Sequence, residues 1–204
     1  CEVFFVENER SARRFLKKIW KEMEIGQFTW FTIHKAEETL KQEFLSQLKG
    51  GKQIGILSEA GCPGIADPGQ LLVAAAHEAG AIVKPLVGPS SILLALMASG
   101  MNGQLFQFNG YLPVEAQERN KKIRELEILS QKQSSTQLFI ETPYRNQAMF
   151  DALLKNCKPN TRLCIALNLT GKRESIHTKT IGEWRKSSPD LQKQPAIFLL
   201  NAAS

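Results

Sequence analysis

The chain has 204 residues, is 43% apolar and carries a formal net charge of +6, which is length enough for one large domain or two small ones around a packed core. No apolar run approaches the roughly 20 residues that span a bilayer, and residues 1–7 lack the basic start and long apolar stretch of a secretion signal, so a cytoplasmic protein is expected. Cys1, Cys62, Cys157 and Cys164 form no Cys-x-x-Cys pair and share no ligand spacing with His34, His77 and His177, so neither a metal centre nor a disulfide framework is expected.

The sequence opens without Met and inside a strand-like run, which reads as a missing N-terminal piece. Residues 3–6 form that strand, and residues 11–24 read as a helix burying Phe15, Leu16, Ile19, Trp20 and Met23. A strand at 28–33, a helix at 36–48 stopped by Gly50-Gly51, and a short strand at 54–57 follow. Next comes Ser58-Glu59-Ala60-Gly61-Cys62-Pro63-Gly64-Ile65-Ala66-Asp67-Pro68-Gly69. Its glycines remove bulk and its prolines stiffen the path, so a ligand can approach the backbone closely. Loops at the carboxyl ends of strands are where open α/β sheets bind ligands. The next helix has Asp67 as its expected N-cap, Pro68 at N1, Gln70 at the capping-box position and Gly80 at C′.

A strand is expected at 82–86, then Val87-Gly88-Pro89-Ser90-Ser91 leads into a helix at 92–98 that is apolar on all sides. Such a helix is expected to be buried all round, beneath a second domain or another subunit, and its N-terminus leaves amide donors free. The two loops are expected as adjacent walls of one crevice. A strand-like run with Phe106, Phe108 and Tyr111 ends at Leu112-Pro113, where the domain boundary is placed, giving domains 1–112 and 113–204. The second holds a helix at 115–132, a strand at 138–141, a helix at 147–156, strands at 163–167 and 175–179, a short helix at 181–186 and a strand at 196–200. This alternation predicts an α/β protein: two α/β domains with mixed or parallel sheets covered by helices.

Residues 1–112 carry 11 basic and 11 acidic side chains and residues 113–204 carry 15 and 9, so the whole excess lies in the second domain. That half reads either as a polyanion-binding surface or as a set of solvated helix faces. Gly-x-Gly-x-x-Gly and Gly-x-Ser-x-Gly are absent, and Gly50-Gly51-Lys52-Gln53 is not a P-loop, which disfavours nicotinamide, nucleoside triphosphate and serine hydrolase chemistry.

Five ordered blocks carry a resemblance: Ser58-Glu59-Ala60-Gly61-Cys62-Pro63 with Asp67-Pro68-Gly69, Pro85-Leu86-Val87-Gly88-Pro89-Ser90-Ser91, Ala95-Leu96-Met97-Ala98-Ser99-Gly100, Asn109-Gly110-Tyr111-Leu112-Pro113 and Glu141-Thr142-Pro143-Tyr144-Arg145. Together they resemble the tetrapyrrole methylase superfamily, and within it the bacterial small-subunit ribosomal RNA 2′-O-ribose methyltransferases. The resemblance implies S-adenosylmethionine as cofactor, held in the cleft between two α/β domains of a homodimer. It places Ala60, Gly61 and Cys62 against the cofactor's amino acid part, Ser90 and Ser91 opposite, and Glu141, Thr142, Pro195 and Ala196 around the adenosine. Glu7-Asn8-Glu9-Arg10 resembles the family's Glu-Asp-Thr-Arg block, and His34 falls near its polar substrate-side segment.

Departures fall mainly on the substrate side: Leu167-Asn168 for Arg-Glu, Gly171 for Lys, Val114-Glu115 after the Leu-Pro, and Gln194-Pro195 for Gly-Glu. Methyl transfer to a ribose hydroxyl needs collinear alignment and a positioned base, for which Glu7, Glu59 and Glu141 are the candidates. Arg10, Arg119, Lys122, Arg145, Lys172 and Arg173 are the candidate RNA contacts. Transfer to a small tetrapyrrole-like molecule, or a paralogue that binds cofactor or RNA without turnover, are the alternatives.

Overall fold

All four residues Val3, Phe4, Phe5 and Val6 are buried, which requires a strand covered on both faces and paired on both edges. The computed structural model describes residues 1–33 and 37–202 and supplies both. It forms two compact units, Cys1–Ser90 and Ser91–Ser204.

In the first unit β1 (Val3–Val6) is the middle of a parallel sheet ordered β2-β1-β3, with β2 at Thr29–Thr32 and β3 at Ile54–Leu57. Val6 lies beside both Thr32 and Leu57, so the three carboxyl ends share one edge. Val3 and Phe5 pack with Phe44 of α2 (Glu37–Lys49) and with Leu72, Ala75 and Ala76 of α3 (Gln70–Glu78). Phe4 and Val6 pack with Met23 and with Ala12 and Leu16 of α1 (Glu9–Ile19). Gly55 faces Phe4, and an added Cβ would fall 2.9 Å from that ring, so the strand needs glycine there.

Three expectations change in this unit. α1 ends at Ile19, and Phe15, Ile19 and Trp20 are 55%, 63% and 51% exposed rather than buried, because Met23, Phe28 and Trp30 already cover the Phe4 side of a narrow sheet. Residues 82–86 join no ladder: Ala81 and Val83 rest on the core while Ile82 and Leu86 are exposed. The N-cap of α3 is Gly69, at φ +126°, and not Asp67.

The second unit holds a five-stranded mixed sheet ordered β4-β5-β8-β6-β7, built from Phe106–Tyr111, Thr136–Glu141, Ala196–Asn201, Arg162–Leu167 and Ser175–Thr180 in that order. β4 runs parallel to β5, and the other pairs are antiparallel. Residues of β8 alternate between two cores, as a period of two dictates. Ile197 and Leu199 meet Ile92, Ala95 and Leu96 of α4 (Ser91–Ser99), and Ala196, Phe198 and Leu200 join the core that includes residues of α5 (Ala116–Gln133), α6 (Asn146–Asn156) and α7 (Ile181–Trp184). The expected boundary after Leu112 moves back to Ser90, because α4 packs on β8 and β4 pairs with β5. Leu112-Pro113 ends a strand, not a domain. α4 is also buried on one side only, with Leu93 and Met97 exposed.

Beneath α5, the buried Glu127 carboxylate accepts from Lys158 N–H at 2.7 Å and Thr161 Oγ1 at 2.5 Å. Burial, and then that carboxylate, push the Cys157 thiol far above its ordinary value; burial raises Cys164 too. Among the described residues no helix is long and apolar enough to cross a membrane.

Candidate functional site

Parallel strands that end level place the residues after them side by side. Glu7, just past β1, donates its N–H to Leu57 O at 3.2 Å, and its Oε2 accepts the N–H of Glu59 at 2.8 Å. Ser11 Oγ donates to Glu59 Oε1 at 2.5 Å, while Ser11 N–H donates to Asn8 Oδ1 at 3.1 Å and so caps α1. The sheet register thus joins two of the three predicted base candidates, and each carboxylate is already engaged in holding the site together.

The small-residue loop closes on itself. Ser58 Oγ donates to Gly61 O at 3.3 Å, Gly64 N–H to Pro68 O at 3.1 Å and Ile65 N–H to Cys62 O at 3.1 Å. Ala60 and Gly61 are exposed, Gly61 stands at φ +80°, and no hydrogen bond from either N–H to a described residue is present. That is a backbone cradle with free donors, which suits the carboxylate of an amino acid moiety. The Cys62 thiol lies 3.8 Å from Pro89 O, which sets the loop beside the segment leading to the buried Ser90 and the exposed Ser91.

Asp67, expected as the N-cap of α3, caps nothing, because the cap is Gly69. Its carboxylate has no hydrogen-bond or ion-pair partner among the described residues. Burial, and then the negative charge of Glu7, push it above the ordinary aspartate value. The signal available in the sequence was that Glu7, Glu59 and Asp67 all follow strands of one parallel sheet. A depression of about 360 Å³ beside Glu59 is lined by Asn8, Arg10, Ser11, Arg14 and Glu59 itself.

In the second unit Glu141 at the end of β5 pairs with Ala196, which also pairs with Leu167, so Glu141, Thr142, Pro195 and Ala196 gather at one sheet edge. The Glu141 side chain is 1% exposed, and its Oε1 accepts from Thr142 N–H at 2.7 Å, Arg145 Nε at 3.0 Å and Arg145 Nη2 at 2.6 Å. In this geometry the Glu141 carboxylate braces the strand end, and the Arg145 guanidinium is engaged with it. Nearby, Asn146 Nδ2 donates to Gln194 O at 2.7 Å and Asn168 N–H to Pro195 O at 3.0 Å, fixing the residues around Pro195.

Of the remaining predicted RNA contacts, Arg10, Lys172 and Arg173 are exposed and Lys122 is half-buried. Arg119 is tethered, its Nη1 donating to Val114 O at 3.0 Å. His34 lies outside the described residues.

The family model described as Tetrapyrrole (Corrin/Porphyrin) Methylases matches residues 1–184. The Ribosomal RNA small subunit methyltransferase I of Vibrio cholerae is 31% identical over 175 residues, covering 84% of this chain and 59% of the relative. Its namesake in Escherichia coli O157:H7 is 30% identical over 174 residues, covering 83% and 59%. The chain therefore spans about three fifths of the length of these curated relatives. Among solved structures, a cobalt precorrin-4 methyltransferase superposes with a TM-score of 0.60 at 13% identity, covering 98% of this chain and 83% of that one. A Thermus thermophilus uroporphyrin-III C-methyl transferase complexed with S-adenyl homocysteine gives 0.53 at 14% identity, covering 98% and 97%. At these identities the superpositions establish the fold alone.

Proposed function

We propose, from the premise that the chain belongs to the tetrapyrrole (corrin/porphyrin) methylases, that it is an S-adenosylmethionine-dependent methyltransferase acting on a ribose 2′-hydroxyl of small-subunit ribosomal RNA. The observation that carries the acceptor is the run of about 30% identity to enzymes named for small-subunit ribosomal RNA, over more than four fifths of this chain. S-adenosylmethionine, when bound, supplies an electrophilic methyl group on a sulfonium.

The chain's own residues do the rest. The exposed amides of Ala60 and Gly61 hold the cofactor's carboxylate, beside Cys62, whose thiol meets Pro89 O next to Ser90 and Ser91 in the sequence. Glu7 fixes the start of that loop through the Glu59 N–H. On the second unit the edge at Thr142, Pro195 and Ala196, braced by Glu141, serves the adenosine. A ribose hydroxyl is a weak acid, and a base whose value lies nearer neutrality than an ordinary aspartate takes its proton more readily. Asp67 is that base, being unpartnered among the described residues and raised by burial and Glu7. We also assign the protein to homodimers, a reading supported by the exposed Leu86 and Val87 on one unit and Met97 on the other.

The test is incubation with labelled S-adenosylmethionine and small ribosomal subunits from a strain lacking the protein. Label on a ribose of the small-subunit RNA is expected. Label on a tetrapyrrole precursor instead, or cofactor binding with no transfer to either, overturns the reading.

A further inference from the structure

We propose that the outer face of α1 docks the phosphate backbone of the RNA acceptor, an inference that rests on the ribosomal RNA reading above. The first unit looks neutral by count, yet residues 10–21 hold six of its eleven Lys and Arg and no Asp or Glu. Two of the six brace the fold: Arg13 pairs with Glu9 and lies 5.2 Å from the Trp30 ring centre, and Lys17 donates to Met23 O at 2.7 Å. The other four, Arg10, Arg14, Lys18 and Lys21, are exposed and have no ion-pair partner among the described residues.

Arg10, Arg14 and Lys18 follow one another at intervals of four, so they form one row on the side away from Ala12 and Leu16. Like charges at that spacing destabilise a helix by about 0.2–0.5 kcal/mol per pair. A row of them with no internal counter-charge is what a polyanion relieves, and counterion release then favours binding. The half-exposed Phe15 and Trp20 flank the row and provide rings of the kind on which bases stack. Arg10 and Arg14 also line the depression that reaches Glu59, so the cation row runs into the candidate site of the same unit.

An anionic lipid surface is the competing partner for a basic amphipathic helix, which inserts its apolar face. In α1 Ala12 and Leu16 pack on the core while Phe15, Ile19 and Trp20 stay exposed, so it is the ribosomal RNA reading that favours RNA, and the vesicle comparison below tests lipid.

The experiment uses the whole chain and its Lys18→Gln/Lys21→Gln variant, with transcribed small-subunit ribosomal RNA titrated at several salt concentrations. Glutamine keeps helix propensity close to that of lysine. Loss of two phosphate contacts should lower the slope of log K against log salt by about 1.5 and weaken binding on the order of tenfold at low salt, with S-adenosylmethionine affinity unchanged. An unchanged slope and affinity in a variant whose parent binds RNA overturns the inference alone. A parent that binds no RNA overturns the acceptor reading and the inference with it. Binding to phosphatidylserine vesicles that depends on Lys18 and Lys21, with RNA affinity indifferent to them, overturns it in favour of lipid.

Discussion

If Glu141 is a brace, replacing it with glutamine should cost stability before it costs chemistry. Its Oε1 takes three donors at 2.6, 2.7 and 3.0 Å, and its side chain is 1% exposed while that of Arg145 is 31% exposed. Breaking a fully buried pair by removing one partner costs about 3–5 kcal/mol. Water reaches the guanidinium here, and Gln keeps an acceptor for Thr142 N–H, so Glu141→Gln should cost about 2 kcal/mol. Arg145→Gln should cost a similar amount, and the double variant should fall short of the sum by at least about 1 kcal/mol, since both changes remove one interaction. Trp184 is buried, donates to Leu163 O at 2.8 Å, and is the second unit's only tryptophan. Urea unfolding followed by its emission, in a chain carrying Trp20→Phe and Trp30→Phe, reads this unit alone. Additive effects within about 0.3 kcal/mol would refute the brace. So would a Glu141→Gln protein of parental stability that has lost methyl transfer, because that is the signature of a base.

Asp67→Asn should gain stability over the parent as the medium moves from acid toward neutrality. The folded-state value of Asp67 is raised, so its contribution is intact below the unfolded value and is lost as pH rises through the folded one. Thermal midpoints of both proteins between pH 3 and 7 check this, and a constant difference counts against it; the same variant should lose roughly 10²–10⁴-fold in methyl transfer. Gly69→Ala should lower stability by about 1–3 kcal/mol, because φ is +126° and the new methyl would meet Gly64 N and Ile56 Cγ2 at 3.4 Å. A thermal midpoint equal to the parent's would show that the loop adjusts without strain.

The strands of the second unit were legible because β5, β6 and β8 carry short, nearly continuous apolar runs, as strands buried between two cores do. The small-residue loop was legible because glycines at 61, 64 and 69 take left-handed or related backbone that other residues resist. Three features were not legible, each for a tertiary reason. Residues 82–86 have strand composition yet join no strand among the described residues, and composition does not report pairing. The apolar residues of α1 exceed what a three-stranded sheet can cover, so periodicity promised burial that the sheet is too narrow to give. Asp67-Pro68 reads as a helix start, yet the chain turns once more at Gly69, and that extra turn separates a cap from an unpartnered carboxyl group.

The setting of Cys157 has a practical corollary. A thiol held neutral by burial and by the adjacent Glu127 reacts slowly, since only the thiolate attacks; Cys164, buried in β6, is similarly shielded. Cys1 is exposed and Cys62 partly so. Brief alkylation therefore modifies the first unit of the intact molecule and reaches the second only through transient openings. Mass increments at the four cysteines would follow the breathing of each half separately, without a spectroscopic label.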